Sequence, residues 1–362
     1  MDIKQSGEDR LELAAEKRTL QKSCLAEPDR LSPALSGSSF VTETERYIME
    51  YYFAPLEGLT DSIYRRLHHT YFPGLDRYYM PFLSPTMHHS LTGKEKRELP
   101  PADSVPFTAI PQILTRVPED FLWAASVCRE QGYREVNLNV GCPSGTVTAK
   151  GKGAGMLAEP EKLDAFLNAV FSECDLAISV KTRLGMTEPE EFVRILEIFN
   201  QYPICELIIH PRVRKDFYDK PIHPDTFAWA LEHTNIPVCY NGNLCSLEDI
   251  GSLRQRFPQV QQLMLGRGLI GDPGMLSPGG TDRTALLGFC DALMEEYRVV
   301  FGSTRNAMFR MKENWRHLLC RFEGAEKLGK KLRKTTDYSE YVAITREILT
   351  SLPMKPRLEP DW

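Results

Sequence analysis

The residues best suited to chemistry lie between Val136 and Gly155, in the stretch VNLNVGCPSGTVTAKGKGAG. Val136, Asn137, Leu138 and Asn139 read as the end of a buried strand, which Gly141-Cys142-Pro143 breaks. Glycines at 141, 145, 151, 153 and 155 let the backbone approach a bound group closely, and Lys150 and Lys152 bring positive charge beside it. At the mouth of this loop stands Cys142. A thiol has an ordinary pKa of about 8.5, so at neutral pH it is mostly protonated and can serve as a general acid. The plain alternative is a structural cysteine ahead of a proline turn. The rest of the chain decides between the two.

A loop of this kind must be held by a scaffold. Short β-rich runs occur at 51–54, 77–81, 107–113, 134–139, 176–182, 205–209, 236–240 and 261–265, most of them separated by helical periodicity. Phe121, Leu122, Ala125 and Cys128, and then Phe192, Ile195, Leu196 and Phe199, show the spacing of a one-sided helix. Eight strand–helix units close into a (β/α)8 barrel. A doubly wound sheet competes, but it calls for a GxGxxG turn after its first strand, where this chain has Pro55-Leu56-Glu57-Gly58. Barrel chemistry sits at the carboxyl ends of the strands. Those ends carry Pro55 to Glu57, Gln112, Asn139 and Cys142, Lys181 and Arg183, His210 and Arg212, Asn241-Gly242-Asn243, and Gly266-Arg267. The last two loops are where such barrels commonly hold a phosphate.

Length and composition set the outer bounds. At 362 residues the chain accommodates one barrel and an appendage. Residues 1–48 are polar and mixed in charge, and read as a mobile arm ahead of Met49. The barrel is expected over 49–275, and a helical unit over 276–362 with helices at 286–300, 305–334 and 338–350. The net charge of −5 gives no overall bias towards nucleic acid, so a polyanion partner needs a local basic patch. Such a patch exists: from Arg305 to Lys334 ten Lys or Arg stand against three Glu. Phe309, Trp315, His317 and Phe322 interleave with them, a mixture suited to the backbone and shape of a structured RNA. Nine scattered cysteines without a CxxC pair argue against a disulfide framework and a zinc site, and point to a reducing cytoplasm. No metal is expected at the His68-His69 or His88-His89 pairs. No apolar run is long enough to span a membrane.

Taken together and in order, the motifs resemble the tRNA-dihydrouridine synthases, flavoenzymes that reduce uridine in tRNA. The marks are APLEGLTD from Ala54, NVGCPSGTVTAKGKGAGML from Asn139, VKTRLG from Val180, IIHPRVRKDFY from Ile208, NGN from Asn241 and LGRG from Leu265. Two positions depart. The family commonly has methionine where this chain has Leu56, and His-Gly-Arg-Thr where it has His210-Pro211-Arg212-Val213; proline there removes an N–H donor.

The resemblance implies FMN across the barrel mouth, NADPH as reductant and tRNA as partner; a monomer is expected. Cys142 is then the acid that protonates C5 of uracil. Lys181 is expected at the pyrimidine edge of the flavin, where reduction builds negative charge, with Gln112, His210 and the backbone of Pro55, Leu56 and Glu57 beside it. Asn241, Gly242, Asn243, Gly266 and Arg267 are expected to cradle the phosphate. Asn139 and Tyr218 are expected to recognise uracil, and Arg183 and Arg212 to meet tRNA phosphates. Two rivals remain: a dihydroorotate dehydrogenase-like FMN barrel, and an RNA-binding barrel without catalysis.

Overall fold

The computed structural model describes residues 49–360. The arm expected over residues 1–48 lies outside them. Nine parallel strands form one sheet: β1 (Glu50–Phe53), β2 (Arg77–Tyr79), β3 (Thr108–Ile110), β4 (Gln112–Ile113), β5 (Glu135–Val140), β6 (Ala177–Arg183), β7 (Leu207–His210), β8 (Val238–Tyr240) and β9 (Gln262–Leu265). The order is β3-β2-β1-β9-β8-β7-β6-β5-β4. Only Pro111 separates β3 from β4, so the two ends of the sheet belong to one interrupted stave and the barrel closes with eight staves, as expected. Proline lacks the N–H that a continuous strand would donate. Its carbonyl still takes the N–H of Asn137 at 2.8 Å.

Helices follow the strands as the periodicity dictates: α1 (Ser62–Tyr71), α2 (Gly93–Glu98), α3 (Pro118–Glu130), α4 (Gly145–Thr148), α5 (Pro160–Glu173), α6 (Phe192–Phe199), α7 (Pro224–Glu232), α8 (Leu247–Arg256) and α9 (Arg267–Gly271). Proline opens α3, α5 and α7, where its fixed φ suits the first turn and its missing N–H costs nothing. Alternation along β5 sorts the faces. Val136, Leu138 and Val140 join the apolar core shared with the helices. Asn137 and Asn139 enter a hydrogen-bonded line across the neighbouring staves. The barrel holds a second, smaller apolar cluster of Tyr52, Ala54, Tyr79, Ile110, Ile208, Cys239 and Met264.

Beyond the barrel come α10 (Arg283–Phe301), α11 (Thr304–Leu318), α12 (Glu326–Lys334) and α13 (Tyr338–Ser351). The run expected as one helix over 305–334 is two, parted where Gly324 adopts φ +68°. These helices share the barrel's outer core: Phe289 meets Tyr64 of α1 edge-on at 5.3 Å between ring centres. Trp315, His317 and Phe322, expected among the surface bases, are buried instead, while Phe309 stays 43 % exposed. The apolar stripe of an amphipathic helix claims its aromatics for the core. No helix among the described residues is long and apolar enough to cross a membrane.

Candidate active site

The carboxyl ends of the strands open on a cavity of about 790 Å³, within the range of cofactor sites. Pro55, Leu56, Lys181, His210, Arg212, Tyr218, Asn241, Gly242, Asn243, Gly266 and Arg267 line it. Of the residues expected here, Glu57, Gln112, Asn139, Cys142 and Arg183 lie off that wall. Glu57 is exposed and pairs with Lys94. The others form the support behind the wall and the loop beside it.

That support begins with a line of side chains across the barrel. Asn139 Nδ2 donates to Gln112 Oε1 at 2.8 Å, and Gln112 Nε2 donates to Asn137 Oδ1 at 2.8 Å. Asn137 Nδ2 continues to Ser179 Oγ at 3.0 Å, which donates to Glu135 at 2.6 Å. Satisfied networks of this kind fix geometry. The remaining acceptor of Asn139 takes the N–H groups of Gly141 at 3.1 Å and Cys142 at 2.9 Å. Asn139 therefore holds the cysteine loop where the sequence suggested a contact to the base. On its other side the loop is gripped by Arg183, whose Nε donates to the Gly141 carbonyl at 3.1 Å.

Cys142 is partly exposed. Asn139 pairs in register with Lys181 on β6, so the cysteine loop leaves the barrel just past the strand that neighbours the ammonium. Gly153, at φ +58°, closes the loop over the cysteine. A Cβ there would stand 3.0 Å from Cys142 Cβ, its carbonyl oxygen and Val147, a tight approach that together with the positive φ favours glycine.

Lys181 is a half-buried charge on the cavity wall. No hydrogen bond or ion pair holds its ammonium among the described residues, and burial, aided by Arg183, pushes it down to about 8. His210 is held well below the usual histidine range, first by burial and then by Arg183, Lys181, Arg212 and Arg267. Its neutral ring accepts from Arg212 at Nε2, 2.9 Å away, which leaves the proton on Nδ1.

Arg183 and Arg212 do not face outward as phosphate contacts. They are 1 % and 2 % exposed. Arg183 also donates to the carbonyls of Val213 at 3.0 Å and Phe217 at 2.8 Å, and Arg212 to Lys220 O at 2.6 Å and Asn243 Oδ1 at 3.1 Å. Both guanidiniums thus hold the loop after β7 against its neighbours. That loop presents Tyr218, 40 % exposed, with Arg183 at 5.1 Å and Arg267 at 4.6 Å from its ring centre.

The loops after β8 and β9 are locked together. A Cβ on Gly268 would stand 2.2 Å from the Leu244 carbonyl, so only glycine permits the approach. Asn241 ties the same ends by donating to the Met264 carbonyl at 2.7 Å. After β1 the N–H of Leu56 goes to Thr60 Oγ1 at 2.9 Å. Pro55 has no N–H, which leaves Glu57 as the backbone donor among the three residues expected here.

The family model for dihydrouridine synthase (Dus) matches residues 52–343. The chain belongs to this family. Similar relatives include tRNA-dihydrouridine synthase B of Pasteurella multocida, 28% identical over 61% of this chain and 66% of its own length. A probable tRNA-dihydrouridine synthase 1 of Synechocystis is 29% identical over 61% of each chain, and a tRNA-dihydrouridine(16) synthase of Pseudomonas putida is 28% identical over 63% of this chain and 72% of its own. The match to the first two relatives thus spans less than two thirds of their length. Family membership carries the expectation of FMN, and the wall fits it: the unpaired ammonium of Lys181, a neutral histidine, and Arg267 next to the close approach of two loops.

Two contributors were not legible in the sequence. Arg310 of α11 reaches Asp61 at 2.5 and 3.1 Å and also the carbonyl of Gly58, tying the helical region to the loop after β1. Arg357 to Pro360, from the far end of the chain, line the cavity. Nothing in their spacing marks either.

Proposed function

We propose that this protein is a tRNA-dihydrouridine synthase, reducing the C5=C6 bond of a uridine in tRNA with FMN as hydride carrier and NADPH as reductant, in the cytoplasm. The observation that carries the reading is the unpaired Lys181 ammonium on a cavity wall, one strand from the loop-borne thiol of Cys142, in a chain of the Dus family. Lys181 would answer the pyrimidine edge of FMN, with His210 alongside, and Arg267 with Asn243 its phosphate. When bound, FMN supplies the hydride that adds to C6 of uracil. The negative charge this addition leaves at C5 is shared with the C4 carbonyl, and Cys142 neutralises it by giving its thiol proton to C5; a proton from solvent restores the thiol. Asn139, Gln112 and Arg183 act by holding the loop that aims the thiol. Tyr218 offers the extruded uracil a ring to stack on.

The tRNA itself would lie against the helical region after the barrel, taken here as the RNA-binding unit. Lys327, Lys330, Lys331, Arg333 and Lys334 are all exposed on or at the end of α12, and Arg305 and Lys312 flank the exposed Phe309. This basic face favours tRNA over free dihydroorotate as the substrate. The test is the visible spectrum of the purified protein and the identity of the chromophore it releases on denaturation. Stoichiometric FMN is expected. A protein that neither carries nor takes up FMN would overturn the reading, and turnover of free dihydroorotate would replace it with the dehydrogenase.

A further inference from the structure

We propose that the C-terminal segment Arg357–Pro360 is part of the cofactor site, with Arg357 answering the phosphate of FMN and Leu358 pinning the segment in place. The inference rests on the FMN reading above. The segment is tied down in stages. Met354 bridges Phe322, and the N–H of Lys355 donates to the Arg321 carbonyl at 2.9 Å. Leu358 is then buried to 3 % exposure against Gly271 of α9. A Cβ on that glycine would come within 2.8 Å of both leucine methyls, so the socket exists because residue 271 has no side chain. On either side of this anchor Arg357, Glu359 and Pro360 line the same cavity as Asn243 and Arg267.

Both elements the segment touches, α8 through Glu248 and α9 through Gly271, follow the loops after β8 and β9, where barrels of this kind commonly hold phosphate. Arg357 rests on Glu248 at 2.9 Å, with side chains 60% and 73% exposed. An ion pair so open to water is worth little, so its guanidinium remains available to a phosphate dianion, for which its bidentate geometry is suited. Of the other carboxylates lining the cavity, Glu359 pairs with Lys355 at 2.8 Å, Asp249 accepts the N–H of Cys245 at 2.9 Å, and Asp219 stands beside Tyr218 in the loop after β7.

The test uses the full chain stripped of flavin, titrated with FMN and separately with riboflavin, which lacks the phosphate, and followed by flavin fluorescence. Arg357→Ala is expected to weaken FMN about tenfold, the scale of one charge-assisted contact, and to leave riboflavin binding as in the wild type. Leu358→Ala is expected to speed FMN release, whereas Arg256→Ala, which removes an exposed pair elsewhere on α8, is expected to match the wild type. An Arg357→Ala protein with wild-type FMN affinity, or with equal losses for FMN and riboflavin, overturns the proposal, as does unchanged release from Leu358→Ala. Wild-type protein that binds neither flavin refutes the cofactor reading itself and takes this proposal with it.

Discussion

Replacing Arg310 with alanine cuts the charged tie between the helical region and the loop after β1. Arg310 and Asp61 keep only 17% and 11% of their side chains exposed, and two guanidinium nitrogens reach one carboxylate oxygen, at 2.5 and 3.1 Å. In Arg310→Ala that oxygen loses both donors and stays largely shielded from water. Removing one member of a buried pair typically costs about 3–5 kcal/mol. Asp61 Oδ1 still holds the Tyr64 N–H at 2.9 Å and the Tyr297 hydroxyl at 3.2 Å, so the lower end, about 3 kcal/mol, is expected. Urea unfolding followed by circular dichroism measures this directly. A double-mutant cycle with Asp61→Asn isolates the pair, with a coupling of about 2 kcal/mol expected. The loop Ala54–Asp61 supplies Pro55 and Leu56 to the cavity wall, so FMN affinity should fall in the same variant. A loss of under about 0.5 kcal/mol, the scale of an exposed ion pair, would refute the reasoning.

Two further substitutions probe buried charge. Lys181→Met removes an ammonium that folding pushes down to about 8. Because the unfolded lysine binds its proton more tightly than the folded one, wild-type stability rises with pH between about 8 and the ordinary lysine range near 10.4. Flavin-free Lys181→Met should therefore be about 1–2 kcal/mol more stable than wild type at pH 7, the gain shrinking above pH 8, while FMN affinity falls; a destabilised, FMN-tight variant would contradict this. At the other end of the barrel, Glu206 accepts from Tyr52 at 2.8 Å and Tyr79 at 3.0 Å, and burial, with Glu135 nearby, pushes it up to about 7. Its folded form holds a proton the unfolded form has lost, so this contribution is complete below about pH 4.5 and is lost as pH rises through about 7. Glu206→Gln, neutral throughout, should be about 1–3 kcal/mol more stable than wild type at pH 8 and lose that advantage at pH 4.5; an advantage independent of pH would exclude this titration.

The strands were legible because all but the second pair a short β-rich run with a special residue at the carboxyl end, and every expected run contains an observed strand or overlaps one. Pro111 was visible as a residue but not as a break, because the staves on either side supply the partners that let the stave resume. The cavity-lining residues Lys181, His210, Asn243 and Arg267 were found for the same reason as the strands: they end them. Roles failed where the deciding partner is distant in sequence. Arg183 and Arg212 read as free cations until the carbonyls of Val213, Phe217 and Lys220 close around them. Asn139 read as a base contact until the loop it caps was in place. Arg310 read as one base among ten, yet its partner lies 249 residues away, and helical spacing cannot show whether a Trp315 or a Phe309 takes the buried side.

The central claim is that the thiol of Cys142 delivers the proton to C5 of uracil at a site that holds FMN. Its most direct test is mass spectrometry of dihydrouridine in tRNA incubated with NADPH and FMN-loaded protein, wild type beside Cys142→Ala. The wild type should form dihydrouridine, and Cys142→Ala should form almost none while keeping its FMN. Dihydrouridine produced by Cys142→Ala at the wild-type rate would contradict the account.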